Sequence, residues 1–122
     1  MLNGNDRRKY VRVNLPIALQ YKNAKDGLDP FKNCVIKDIG EGGLRFTTDG
    51  FVPLACHMVV KIDINQAEEP IRAILKVKWI KKLADGVSFE IGNEFSNISS
   101  GAKAVLSDFL KRNQRAKRVF AN

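Results

Sequence analysis

Residues 13–98 are built from short segments in which apolar and polar side chains alternate, separated by turn-forming residues. The alternation is clearest in residues 13–22, 43–48, 57–64, 71–82 and 87–92, and a short strand is expected over residues 34–37. A period of two is typical of a β-strand with one buried face. Turn signals such as Asp49-Gly50 and Asp85-Gly86 separate the segments. The pattern predicts about six strands in a small antiparallel barrel or sandwich.

Two strands carry further information. Pro16 cannot donate a ladder hydrogen bond, so the first strand is expected at an edge or with a bulge there. The long segment 71–82 is expected to place five side chains on one apolar face: Ile71, Ala73, Leu75, Val77 and Trp79.

The period changes after residue 98. Ala102, Val105, Leu106, Phe109 and Leu110 follow the spacing of an amphipathic helix, and Ser99 or Ser100 can cap its start. We expect this helix to close one end of the barrel. The chain is therefore predicted to be one domain in three parts: a flexible basic arm (1–12), the barrel (13–98) and a helix with a basic end (99–122).

The net charge of +8 is concentrated at the two ends of the chain. Residues 1–12 carry +3, residues 99–122 carry +5, and residues 13–98 are neutral. A nucleic-acid-binding domain usually spreads positive charge over a face of its folded body. The distribution favours a local anion site or a basic extension, and the basic end of the helix also agrees with the helix dipole.

Several classes of protein are not expected. No apolar run approaches the ~18 residues of a membrane span, and no secretory signal precedes Arg7, so we expect a cytoplasmic protein. Cys34 and Cys56 form neither a disulfide framework nor a metal motif and are expected as buried thiols. His57 has no partner at metal-ligand spacing. Because no nucleophile–base pair, metal cluster or paired carboxylates stand out, we expect no enzyme activity, metal or cofactor.

Two short motifs carry chemistry. The first is Arg8-Lys9-Tyr10-Val11-Arg12, preceded by Arg7, and the second is Asp38-Ile39-Gly40-Glu41-Gly42-Gly43. Arginine can bind phosphate oxygens or the O6/N7 edge of guanine in bidentate fashion and can stack on a purine. A carboxylate can accept from the guanine N1–H and N2–H groups, and glycines allow positive φ and close backbone approach.

In order and spacing these motifs resemble those of the PilZ domain family, small β-barrels that bind cyclic di-GMP through RxxxR and D/NxSxxG. The resemblance extends from Arg7 to the final helix and includes Val77-Lys78-Trp79-Ile80 and Ile91-Gly92-Asn93-Glu94-Phe95. It implies a mainly β fold, a six-stranded antiparallel split barrel with a C-terminal helix. It also implies a receptor that changes conformation on binding cyclic di-GMP and signals to an effector protein.

The resemblance implies a nucleotide site formed by Arg7, Arg8, Arg12, Asp38, Gly40 and Gly43, with possible secondary contacts from Arg45 and Trp79. Gly40 stands where the family has serine, which removes one potential hydrogen bond of about 0.5–1.5 kcal/mol. Structural roles remain open: the arginines as solvated charges, Asp38 as a turn former, and Trp79 as a core residue.

Two other functions are weighed against the receptor. One is a PilZ-like interaction module with a degraded nucleotide site, which Gly40 would signal. The other is a small basic barrel that binds RNA or DNA, although such a protein should expose aromatic side chains for base stacking. We therefore expect no nucleic-acid partner. The chain is expected to act as a monomer or homodimer.

Overall fold

The computed structural model describes residues 12–13, 17–25, 30–50, 52–64 and 69–121, with side chains described from residue 17 to residue 113 within these ranges. They form seven strands and one helix. The strands are β1 (Arg12–Val13), β2 (Ile17–Asn23), β3 (Lys32–Gly40), β4 (Gly43–Thr48), β5 (His57–Asp63), β6 (Ile71–Lys82) and β7 (Phe89–Ile98), and the helix is α1 (Ser100–Ala121).

Six of the strands close into an antiparallel barrel. Around the ring the order is β3, β2, β5, β6, β7 and β4, and the β3–β4 pairing completes the circle. The short β1 pairs with the end of β3, at Ile39 and Gly40. The predicted fold class is therefore confirmed, but the segment expected as one strand over residues 13–22 forms β1 and β2 with undescribed residues between them. Pro16 lies among those residues.

Alternating inward side chains fill the barrel. The core includes Leu19, Ile36, Phe46, Val60 and Leu75, each at most 2% exposed. Every one of these residues occupies an apolar position of the sequence alternation. The period-two pattern therefore identified the buried face of β2, β4 and β5 and of β6 as far as Val77.

Three β-bulges interrupt the described ladders: one leaves Ser96 of β7 as an extra residue, and the other two, in β3 and β6, change which way the following side chains point. In β3, Ile36 pairs with Phe46 but Asp38 pairs with Arg45, so Lys37 is an extra residue. In β6, Val77 pairs with Asn93 but Trp79 pairs with Gly92, so Lys78 is an extra residue. A one-residue bulge moves the next side chain to the other face of the sheet.

The prediction that Trp79 shares the apolar face of β6 is therefore wrong: Val77 is buried, and Trp79 is 40% exposed on the outside. Strand β3 also extends through Gly40, so Asp38 lies within a strand and only Glu41 and Gly42 separate β3 from β4.

Helix α1 begins as the sequence predicts. The Ser99 side-chain oxygen accepts a hydrogen bond from the Ala102 amide at 3.1 Å, which is an N-cap. Leu106, Phe109 and Leu110 are buried and join the core of the barrel. Val105 is exposed, so the buried face of α1 is narrower than the sequence pattern indicated.

Candidate functional site

Strand pairing brings the two sequence motifs together. Arg12, the last residue of the first motif, lies opposite Gly40 of the second motif in the β1–β3 ladder, and Val13 lies opposite Ile39. These positions are 28 residues apart in the chain. Residues opposite each other on antiparallel strands have Cα atoms roughly 4.5–5.5 Å apart. The backbone of Arg12 is therefore fixed beside the glycine turn.

Four strands contribute one residue each to a row on the outer face of the barrel. Asp38 on β3 pairs with Arg45 on β4, Arg45 pairs with Gly92 on β7, and Gly92 pairs with Trp79 on β6. We call Asp38, Arg45, Gly92 and Trp79 the outer row. Asp38 and Trp79 reach it because each directly follows a bulge. Bulges near functional sites commonly re-aim side chains in this way.

Arg45 is the electrostatic centre of the outer row. Its Nε donates to Oδ2 of Asp38 at 2.8 Å, its Nη2 donates to the same oxygen, and its Nη1 lies 3.8 Å from Oε2 of Glu90. The hydrogen bond with Asp38 raises the pKa of Arg45. Lys37, the extra residue of the β3 bulge, contacts the same Glu90 oxygen at 2.7 Å. Two nearly buried carboxylates are thus held by two cations.

Two glycines in this region are required by close approach. A Cβ on Gly92 would lie 2.1 Å from Cε2 of the Trp79 indole, so the ring rests against the backbone of β7. A Cβ on Gly43 would lie 2.0 Å from the Asn93 carbonyl oxygen. Its φ lies outside the left-handed region, so the close packing of β7 explains this glycine and a positive φ does not.

The sequence-predicted site residues divide into three groups. Asp38, Gly40, Gly43 and Arg45 lie on β3 and β4, and the backbone of Arg12 joins them through β1. Trp79 lies on β6, at the far end of the outer row. Arg7 and Arg8 lie outside the described residues.

Sequence reasoning did not single out Lys37, Glu90 or Gly92. A glycine within an alternating strand is a signal of close backbone approach, and it could have indicated Gly92. Lys37 and Glu90 carry no comparable signal because only strand pairing brings them together.

The described residues contain no group of three or more histidine, cysteine, aspartate or glutamate side chains arranged to hold a metal ion. Within the same residues, α1 lacks the combination of length and apolar character that a bilayer-spanning helix needs. The outer row instead offers a carboxylate, a guanidinium and an aromatic ring on one surface. These groups can form hydrogen bonds and stacking contacts with a planar, polar ligand.

Comparison with known proteins identifies the family. The model of the PilZ domain matches residues 6–112, which is most of the chain. The chain belongs to the PilZ domain family. No curated protein matches it in sequence.

Solved structures share the fold. The inhibitor of motility MotI/DgrA from Bacillus subtilis superposes with a TM-score of 0.74 and 21% identity, over 91% of this chain and 52% of that one. The PilZ domain of Escherichia coli YcgR with c-di-GMP gives 0.68 and 16% identity, over 94% and 97%. The MrkH–c-di-GMP complex of K. pneumonia gives 0.67 and 23% identity, over 92% and 55%. This chain thus spans about half of MotI and MrkH, and nearly the whole YcgR domain.

Proposed function

We propose that this protein is a receptor for cyclic di-GMP and that the nucleotide binds beside the outer row. The observation that carries the proposal is the pairing of Arg12 with Gly40, because it joins an arginine of the first motif to the second motif. Membership of the PilZ family supports it, and so do the fold relatives YcgR and MrkH, whose structures contain c-di-GMP.

Each part of the ligand has a complementary group in this proposal. Arg7, Arg8 and Arg12 supply guanidinium groups for the phosphates and the O6/N7 edges of guanine. Asp38 accepts hydrogen bonds from the N1–H and N2–H edge. Gly40 allows the ligand to approach the β3–β4 backbone, and Gly43 would contribute its backbone alone, because the Asn93 carbonyl fills the place of a Cβ there. Trp79 provides a ring on which a guanine can stack, a contact worth about 1–3 kcal/mol per base.

Binding requires the Asp38–Arg45 contact to change. Arg45 donates to Oδ2 of Asp38, the carboxylate that we assign to guanine. A guanine edge therefore competes with Arg45 for that oxygen. The guanidinium released in this exchange can turn towards a phosphate of the same ligand, so its cationic charge stays in the site. Arg45 thus holds Asp38 in place before binding and contacts the ligand afterwards.

Ligand contact with Arg7 and Arg8 would also alter the surface around the first motif. Ordering a segment on binding costs free energy and so lowers the affinity, but it also creates a new surface. We propose that an effector protein recognises this surface, which makes the domain an adaptor and not an enzyme. Cytoplasmic location and a monomeric or homodimeric state remain predictions.

Isothermal titration calorimetry with cyclic di-GMP tests the receptor proposal. We expect binding to the wild-type protein and none to the Arg8→Ala/Arg12→Ala variant. The matched control is Arg72→Ala/Arg112→Ala, which removes the same charge from exposed positions away from the outer row. Cyclic di-AMP, which lacks the guanine edges, should not bind. Equal binding by both double variants, or no binding by the wild-type protein, would refute the proposal.

The alternative is an interaction module with a degraded nucleotide site. Two observations favour it: Gly40 lacks the serine hydroxyl of the family motif, and Arg45 already engages Asp38. This function predicts no heat with cyclic di-GMP in calorimetry and no retention in equilibrium dialysis. It also predicts that Asp38→Ala leaves the module's partner binding unchanged if the partner contacts another face.

A further inference from the structure

The barrel has a second distinctive surface on β2, β5 and β6. Two strands separate β5 from β4 in either direction around the ring, so this surface lies across the barrel from Arg45. Its register is continuous: Gln20 pairs with Lys61 and Lys61 with Arg72, while Lys22 pairs with Val59 and Val59 with Ile74. We call this surface the β5 face; its outward side chains include Gln20, Lys22, Val59, Lys61, Arg72, Ile74 and Lys76.

The β5 face has a concentration of positive charge that the net charge of the segment does not reveal. Residues 13–98 are neutral overall, yet four cationic side chains, Lys22, Lys61, Arg72 and Lys76, lie together on this face. Among the described residues, no carboxylate forms an ion pair with Lys61, Arg72 or Lys76. Glu94 pairs with Lys76 in register, but its carboxylate contacts Lys78 at 3.6 Å. Asp63 lies only at the edge of the face, opposite Ala18.

A groove with one apolar wall adjoins these cations, and Asn23, Lys25, His57, Ser96 and Asn97 form the polar part of its lining. Its volume is about 740 Å³, and Ile74 of the β5 face forms part of its wall together with Pro53, Leu54 and Cys56. Leu54 is 62% exposed, although leucine is usually buried. An apolar side chain from another molecule could pack beside Leu54 in part of this groove and remove apolar surface of both molecules from water.

The loop that carries Leu54 is held in a fixed conformation. The Ala55 amide donates to the Val77 carbonyl at 2.9 Å, and the Val77 amide donates to the Cys56 carbonyl at 3.0 Å. Ala55 has a φ of 66°, in a region that residues with a Cβ seldom adopt. Such backbone strain persists where the surrounding structure enforces it. The exposure of Leu54 is therefore built into the fold.

We infer that the β5 face and the Leu54 groove form a docking surface for an acidic protein segment with an apolar anchor. The cations would contact its carboxylates and the groove would take the apolar side chain. Charge complementarity of this kind sets specificity and association rate. The inference is independent of the nucleotide site, which lies on β3, β4 and β7 and shares only β6 with this face, at Trp79.

Two other anionic partners fit less well. Single-stranded nucleic acid needs open aromatic rings, but Lys22 Nζ and Lys61 Nζ lie 5.0 and 4.3 Å from the centre of the Phe31 ring and occupy the space around it. A membrane surface needs several apolar side chains that insert together. On this part of the barrel Leu54 is the exposed large apolar residue, since Val59 and Ile74 are half-buried.

The test is an NMR titration of the ¹⁵N-labelled protein with a synthetic peptide in which pairs of glutamates alternate with single leucines. We expect amide shifts confined to β2, β5, β6 and residues 53–57. Raising the salt from about 0.1 M to about 1 M shortens the Debye length from ~10 to ~3 Å and should weaken binding at least severalfold. Peptides with glutamine for glutamate, or with alanine for leucine, should each bind at least severalfold more weakly.

Matched variants separate this surface from general basic charge. Lys61→Glu/Arg72→Glu should weaken peptide binding by about tenfold or more, and Leu54→Ser should weaken it severalfold. Lys103→Glu/Lys111→Glu on α1 makes the same charge change and should leave peptide binding intact. The β5-face variants should bind cyclic di-GMP with the same affinity as the wild-type protein. The two proposals can therefore fail independently, and the titrations show which one has failed.

Three results would overturn the inference. The first is the absence of amide shifts on the β5 face at millimolar peptide, and the second is that Lys103→Glu/Lys111→Glu loses as much peptide affinity as Lys61→Glu/Arg72→Glu. The third is that oligothymidine or phosphatidylserine vesicles bind more tightly than the peptide and require Lys61 and Arg72.

Discussion

The indole of Trp79 rests on the backbone of Gly92, its pairing partner on β7. A Cβ at that glycine would fall 2.1 Å from Cε2 and 2.2 Å from Nε1 of the ring. Strand pairing and close packing therefore fix the orientation of the aromatic end of the outer row. Gly92 is needed at this position because the absence of a Cβ leaves room for the ring.

Gly92→Ala should displace the indole. Since Trp79 is 40% exposed, the ring can rotate towards solvent, and we expect a destabilisation of about 1 kcal/mol. Trp79 is the only tryptophan, so its emission maximum should move to longer wavelength. The control is Gly101→Ala, where an added Cβ meets nothing within 4 Å. It should leave the emission unchanged, and an unchanged spectrum in Gly92→Ala would contradict the packing argument.

Arg45→Ala should destabilise the fold more than removal of an ordinary surface arginine. It removes the guanidinium that contacts both Asp38 and Glu90, two carboxylates on residues only 5% exposed. We expect a loss of about 1–3 kcal/mol in urea unfolding. Arg112 pairs with Asp108 one helical turn away on the exposed side of α1. Arg112→Ala should cost at most ~0.5 kcal/mol, and equal costs would show that the Asp38 contact adds nothing.

Asp85 should make the β6–β7 hairpin sensitive to acid. Hydrogen bonds donated by Ser88, and to a smaller extent by Val87, lower the pKa of this carboxyl in the folded protein. The ionised form therefore stabilises the folded protein at pH values above about 3.9, and this contribution is lost as the pH falls through the lower folded-state pKa.

Thermal unfolding of wild-type protein, Asp85→Asn and Asp85→Ala at about pH 7 and about pH 2.5 measures this contribution. The difference between wild type and Asp85→Asn should be present at the higher pH and shrink at the lower one. Asp85→Ala should be the least stable at both, because alanine has no oxygen to accept the Val87 and Ser88 amides. A difference between wild type and Asp85→Asn that does not change with pH would contradict the predicted sign.

Cys34 should react slowly with thiol reagents. Burial raises the pKa of its thiol to about 12, and the thiolate is the reactive form. Each pKa unit lowers the thiolate fraction about tenfold, so near neutral pH we expect modification about a thousandfold slower than in the unfolded chain. Iodoacetamide alkylation of Cys56→Ser, in buffer and in urea, isolates this thiol. Rates within tenfold of each other would show that Cys34 is open to reagent.

Much of the fold follows from local pattern because a closed barrel gives every strand one buried face. The alternation predicts strands over residues 43–48 and 71–82, and β4 and β6 have the same bounds. The pattern failed at Trp79, because it assumes an unbroken alternation and Lys78 interrupts it. A bulge depends on the partner strand, and a single segment of sequence does not contain that information.

The candidate site was predictable in its motifs but not in its contacts. Asp38 and Arg45 carried chemical signals in the sequence, yet their direct pairing depends on the bulge at Lys37. Glu90 comes from β7, more than 40 residues away, and only the β4–β7 ladder brings it to Arg45. The β5 face was concealed for the same reason, since its cations come from three separate strands within a segment of zero net charge.

Gly40→Ser should strengthen the binding of cyclic di-GMP if the receptor proposal is correct. The substitution restores the hydroxyl of the family motif opposite Arg12, and one added hydrogen bond of about 0.5–1.5 kcal/mol corresponds to a gain of about two- to tenfold in affinity. Gly40→Ala is the matched control because it adds the Cβ without the hydroxyl. Calorimetry should rank serine above glycine and glycine at or above alanine. If serine and alanine weaken binding equally, the β3–β4 turn has no room for a side chain, and Gly40 is then a requirement of close approach and not a missing contact.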